Sequence, residues 1–173
     1  GDEEFTNGEV KWSENVRIGY FAQNHGHEFK SNKTLFDWMS QWGQKEDDLQ
    51  VIRGTLGRLL FSQDDIEKPV SVLSGGEQRR MLFGKIILQR PNLIIMDEPT
   101  NHLDMKTKDI IKEALKAFNG TLILVSHDRD FLADLAGKVF EFGNQRVKEH
   151  FEDINGFLAM KKLKHLADIE QKK

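Results

Sequence analysis

Two acidic residues, Asp97 and Glu98, stand directly after the apolar run Leu93-Ile94-Ile95-Met96. In open α/β sheets, ligands bind outside the carboxyl ends of the strands. An acid there can hold Mg²⁺, directly or through water, while the next acid polarises a water. Taken alone, so short a pattern favours two acids that cap a strand and start a turn at Pro99. Ser74-Gly75-Gly76-Glu77 opens a helix. Ser74 and Glu77 match a capping box, which is a sufficient structural reading. The same helix start offers unpaired N–H groups, a positive dipole end and two glycines that let phosphate oxygens near the backbone. Those two readings stand level. Ser126-His127-Asp128 follows a second apolar run. A lone histidine is more often structural than catalytic, but parallel strands place His127 at the same sheet edge as Asp97 and Glu98. Gln23 also ends a strand, and its amide could ligate Mg²⁺ or a water.

These residues need a scaffold, and the pattern of apolar residues supplies one. Residues 9–12 and 16–22 read as strands, followed by a polar loop over 24–33. Thr34 caps a helix over 35–42, with Leu35, Trp38, Met39 and Trp42 at helical spacing. Asp47 or Asp48 starts a second helix through Leu60, and Pro69 breaks the chain. Ser74 opens a helix to about Gln89. Residues 92–96 lie between Pro91 and Pro99 and read as a fully buried strand. Residues 105–118 form an amphipathic helix ended by Asn119-Gly120, and 121–126 a second buried strand. Strands alternating with helices predict a parallel sheet in an α/β domain. Two short strands, near 139–142 and 146–151, and a helix from Ile154 complete the chain. That helix carries five lysines against Asp168 and Glu170, a modest excess.

Composition bounds the possibilities. The 173 residues suit one domain with a real core, and 38% hydrophobic with 31% charged residues is ordinary globular composition. A formal net charge of −3 gives no global pull toward nucleic acid. The lack of cysteine excludes a disulfide framework or thiolate metal site and suits a reducing cytosol. No apolar run approaches the ~20 residues that span a bilayer. Gly1-Asp2-Glu3-Glu4 lacks a signal-peptide pattern, and Gly1 in place of Met reads as the start of a piece of something longer. The expectation is a cytoplasmic location.

In this order the pieces resemble the second half of an ATP-binding cassette (ABC) ATPase. Gln23 is similar to the Q-loop glutamine, Leu73-Ser74-Gly75-Gly76-Glu77-Gln78 to the signature motif, and Leu93 to Asp97 to the Walker B strand. Glu98 then matches the catalytic glutamate, Asn101-His102-Leu103-Asp104 the D-loop and His127 the switch histidine. The wording of Asp97-Glu98-Pro99-Thr100-Asn101-His102-Leu103-Asp104, Val125-Ser126-His127-Asp128-Arg129-Asp130-Phe131 and Ile18-Gly19-Tyr20-Phe21-Ala22-Gln23 resembles the ABC-F group. Its members carry two cassettes on one chain, have no transmembrane domain and act on ribosomes. The Trp-containing stretch 34–61 looks most similar to a second cassette.

The resemblance implies an α/β, P-loop NTPase-like cassette fragment with a parallel sheet, an inserted helical subdomain and a C-terminal helix. Its parts are a β segment and Q-loop (1–33), a helical subdomain (34–72), the signature-to-switch region (73–138) and C-terminal strands and helix (139–173). It implies ATP and Mg²⁺ as cofactors. Asp97 and Gln23 would hold the metal, and Glu98 and His127 would act on the γ-phosphate and attacking water. Ser74, Gly75, Gly76, Glu77 and Asp104 would join the nucleotide site shared with a second cassette carried on the same chain in the parent protein. Ribosome and RNA are the implied partners. The sequence departs from the family at one motif, since no G-x-x-x-x-G-K-[ST] occurs in it. The expectation is therefore an absent P-loop strand, an inactive isolated chain and an open edge at 121–125 prone to self-association. Two other readings are a transporter's nucleotide-binding subunit and a non-catalytic interaction fragment.

Overall fold

The computed structural model describes residues 8–21, 27–45, 47–101, 103–143, 145–151 and 153–170. Three parallel strands, β1 (Ile18–Phe21), β2 (Leu93–Asp97) and β3 (Thr121–Val125), form one sheet in the order β1-β2-β3. The register pairs Phe21 with Met96 and Asp97 with Val125, so the carboxyl ends of all three strands lie along one edge. Helices α1 (Leu35–Ser40), α2 (Leu49–Arg58) and α3 (Gly75–Gln89) fill the crossover from β1 to β2. Helix α4 (Met105–Lys116) fills that from β2 to β3, and the single turn α5 (Arg129–Leu132) follows β3.

Side-chain caps mark where these helices start. Thr34 accepts from the Asp37 N–H, Asp48 from those of Gln50 and Val51, and Asp104 from that of Thr107. Each satisfies donors that the first turn leaves without a partner. The core runs without interruption from the sheet into the helices, through Phe21, Met96, Phe83, Ile86, Leu35, Met39, Leu56, Ile111 and Leu115. Gly19 permits the close approach of β1 to α3, because a Cβ there would stand 2.8 Å from Ile86 Cγ2.

The structure corrects two expectations about strands. Residues 9–12 form no strand, and Val10 and Trp12 lie exposed with no neighbouring strand among the described residues. Alternation gives a segment two faces, but only a paired strand satisfies its backbone. Strands β2 and β3 also differ from fully buried strands. One face, with Ile94 and Met96, packs against the helices, while Ile18, Tyr20, Ile123 and Val125 on the other stay exposed.

The tail strands β4 (Val139–Gly143) and β5 (Arg146–His150) pair antiparallel with each other as a separate sheet. Helix α6 (Ile154–Glu170) is tied to this hairpin by Glu141, which pairs with His150 Nε2 at 3.1 Å and with Lys161. The His150 ring meets Phe157 edge-on at 4.9 Å.

Candidate functional site

The site lies at the carboxyl ends of β2 and β3. Asp97 closes β2 on the sheet's open face, half-buried, and its carboxylate makes no hydrogen bond or ion pair among the described residues. Glu98 follows in a left-handed backbone conformation, φ 46°. Its N–H donates to the Val125 carbonyl at 2.8 Å, which continues the β2–β3 ladder by one residue. The turn leaves the Glu98 side chain almost enclosed, and its Oε1 is buried without a hydrogen-bond partner.

His127 comes to this carboxylate from the end of β3, with Nε2 3.6 Å from Glu98 Oε1. The parallel register brings the two together, since Asp97 sits opposite Val125. The imidazole is 99% exposed, so it packs against nothing that would assign it a core role. The neighbouring Asp128 caps α5 through the Phe131 N–H and pairs with Lys108 at 2.6 Å. The Lys108 hydrogen bond holds its carboxyl below the ordinary aspartate range.

Adjacent carboxylates that accept no hydrogen bond from the described residues fit a hard cation with its water shell. No cluster of three or more acidic, His or Cys ligands exists among the described residues. That donor set suits Mg²⁺, which commonly takes one or two carboxylates and completes its shell with water and substrate phosphate. Gln23 lies outside the described residues, as does His102 of the D-loop stretch.

At the start of α3, the capping box is complete. Glu77 Oε2 accepts from the Ser74 N–H at 2.9 Å and from its hydroxyl at 2.7 Å, while Ser74 Oγ accepts from the Glu77 N–H. The Ser74 hydroxyl is the main cause that holds the Glu77 carboxyl below its ordinary value. Ser74 and Gly75 are exposed, and a Cβ at Gly75 would meet nothing within 4 Å. Asp104 is engaged locally, its carboxylate accepting from the Thr107 N–H and hydroxyl at 2.9 and 2.8 Å, which lowers its pKa. The structure thus brings Asp97, Glu98 and His127 together, and gives Ser74, Glu77 and Asp104 helix-cap bonds of their own. Arg79, which reaches from α3 toward the Glu98 carbonyl at 3.5 Å, was not legible as a site residue.

A family model described as "ABC transporter" matches residues 1–101, more than half of the chain. This chain belongs to the ATP-binding cassette family. It is 55% identical over 161 residues to the probable ATP-binding protein YbiT of Escherichia coli O157:H7, covering 93% of this chain and 30% of YbiT. It is 35% identical over 181 residues to ABC transporter F family member 5 of Arabidopsis thaliana, covering 99% of this chain and 26% of that protein. The cassette therefore fits the ABC-F type, and the chain spans roughly a quarter to a third of these relatives' length. The solved structure titled "RNase-L Inhibitor" superimposes with a TM-score of 0.70 over 91% of this chain and 32% of its own, at 23% identity, a likeness in fold. No helix among the described residues is long and apolar enough to cross a membrane.

Proposed function

We propose that this chain supplies the Walker B, switch and signature elements of an ABC-F type ATPase that acts on ribosomes in the cytoplasm. The carrying observation is the meeting of Glu98 and His127, 3.6 Å apart, with Glu98 Oε1 enclosed and accepting no hydrogen bond, beside an Asp97 that makes no ion pair among the described residues. Asp97, with Gln23, would hold Mg²⁺, which supplies charge neutralisation for the phosphates. Glu98 accepts a proton from the attacking water and orients it. His127, exposed and free to turn, donates to the γ-phosphate. Ser74, Gly75 and Gly76 present a helix N-terminus to ATP held by a second cassette of the full-length parent, with Glu77 fixing the cap and Asp104 fixing the D-loop turn. Catalysis of this kind is positioning and electrostatics. The segment 34–72 acts as the helical subdomain of the cassette.

The test is Glu98→Gln in the full-length protein. The amide keeps the shape of the side chain but cannot take the proton. Nucleotide binding should persist while single-turnover hydrolysis falls about a hundredfold or more. An unchanged rate refutes the role. This sequence contains no G-x-x-x-x-G-K-[ST], the motif whose backbone cradles the phosphates. We expect the isolated chain to show negligible ATPase activity, and tight Mg-ATP binding by it in calorimetry would overturn that expectation. Ribosome association by the full-length protein is checked by co-sedimentation, where a steep salt dependence would indicate phosphate contacts.

A further inference from the structure

Glu98 occupies a conformation that residues with side chains rarely adopt, φ 46°. Such a conformation persists where the surroundings over-determine it. Three contacts hold its backbone here. Its N–H donates to Val125 O at 2.8 Å, and its carbonyl accepts from the Asn101 N–H at 3.4 Å. The third is Arg79 Nη1, 3.5 Å from the same carbonyl. The first two are backbone bonds that any residue could make. The third comes from a charged side chain on another element, and its charge strengthens a contact that is long for a hydrogen bond.

Arg79 is poorly explained by local needs. It is half-buried, and among the described residues it has no carboxylate within ion-pair distance. Its guanidinium lies 6.0 Å from the ring of Phe21, at the end of β1. Burial pulls its pKa below the ordinary arginine value, although a guanidinium stays charged in proteins. A half-buried cation needs acceptors, and among the described residues the Glu98 carbonyl is the one it reaches. Arg79 also belongs to α3, the helix that Ser74 caps and the two glycines open. It therefore joins three segments: the signature helix, the end of β1 and the turn that carries Glu98.

We propose that Arg79 is a positioning residue that sets the Glu98 turn from the signature helix. The Glu98 carboxylate is aimed by its own backbone, and that backbone is held in part by α3. Any shift of α3 on contact with a nucleotide at its N-terminus would then be felt at the Glu98 of the same cassette. This inference rests on the catalytic reading of Glu98. Its structural rival is a packing role, in which Arg79 only covers Phe21 between α3 and β1.

The experiment uses the full-length protein with Arg79→Met, Arg79→Lys, Arg79→Gln and Glu98→Gln. Steady-state kinetics, melting and amide hydrogen exchange over residues 97–101 are measured on each. Arg79→Met should lower kcat about tenfold or more with KM for Mg-ATP within about twofold, the sign of an interaction that matters for chemistry more than for binding. Exchange at the Glu98 amide should rise about tenfold without nucleotide, because the turn opens more often. Arg79→Lys, which keeps a charged donor, should recover part of both. Wild-type kcat in Arg79→Met overturns the proposal. So does a slowed Arg79→Met with unchanged exchange at 97–101, which would place its effect elsewhere. If Arg79→Met fails to fold, Arg79→Gln keeps a neutral donor and carries the same two readouts. Wild-type hydrolysis by Glu98→Gln would instead defeat the reading of Glu98 itself, whatever Arg79 does to exchange.

Discussion

His127 Nε2 stands 3.6 Å from Glu98 Oε1, although the imidazole is fully exposed and the carboxylate almost enclosed. The two come from the ends of adjacent parallel strands. Removal of the imidazole should therefore cost function and little stability. His127→Ala is expected to slow turnover about tenfold or more and to change stability by no more than ~0.5 kcal/mol, as for other exposed positions. Kinetics and thermal melting on one preparation check this. A wild-type rate returns His127 to the role of a surface residue.

Ser74 has two candidate roles that respond differently to substitution. As a cap it should cost ~1 kcal/mol when replaced by Ala. As a nucleotide contact it should cost turnover when replaced by Arg, which keeps the helix but blocks its N-terminus. A Ser74→Arg variant that is destabilised yet turns over normally would leave only the cap. Glu77 adds a pH signature. Its folded-state pKa is depressed, first by the Ser74 hydroxyl, so its contribution is present above the unfolded-state value and is lost as pH falls through the folded one. Stability measured below about pH 4.5 should drop less steeply in Glu77→Gln than in the wild type.

Gly84 sits where α3 meets α1 and α2. A Cβ there would stand 2.6 Å from Leu59 Cδ1 and 2.7 Å from Met39 Cε. Both neighbours are buried, so neither can move freely. Gly84→Ala should destabilise by about 1–3 kcal/mol through overpacking. A urea midpoint equal to that of the wild type would show that the helices can separate at no cost.

Strand β3 pairs with β2 and with no other strand among the described residues. Leu122, Ile123, Leu124 and Val125 carry no charge or proline to blunt the free edge, and Ile123 and Val125 are about half exposed. The tail strands do not pair with it, since β4 and β5 form a sheet of their own. Open apolar edges recruit other strands. This chain alone should self-associate with rising concentration, and Ile123→Lys should reduce that association. Light scattering across a concentration series decides, and a stable monomer at high concentration would refute it.

Local chemistry made much of this legible beforehand. The helices beginning at Leu35, Leu49, Gly75 and Met105 all start one residue after a Thr, Asp or Ser that caps them, because a cap is a short-range bond written in adjacent residues. β2 was bounded by Pro91 and Pro99, which placed it at 92–96, within one residue of the observed Leu93–Asp97 at each end. Residues 9–12 misled for the opposite reason. A strand's pairing partner is remote in sequence, and alternation says nothing about whether one is there.

By itself, the sequence determined which residue types stand at the strand ends: Asp97 and Glu98 after one apolar run, His127 after another, and Ser74 with Glu77 at a helix start. Each is a matter of neighbours within a few residues, where propensity, capping and the order of motifs act directly. Only the tertiary structure decided that Glu98 and His127 meet at 3.6 Å, that Glu98 Oε1 is enclosed without a hydrogen-bond partner, and that Arg79 reaches the Glu98 carbonyl. Those facts depend on the register of two parallel strands joined through α4 and on the rotation of α3 about its axis. Long-range packing of the shared core sets both, and no local pattern encodes them.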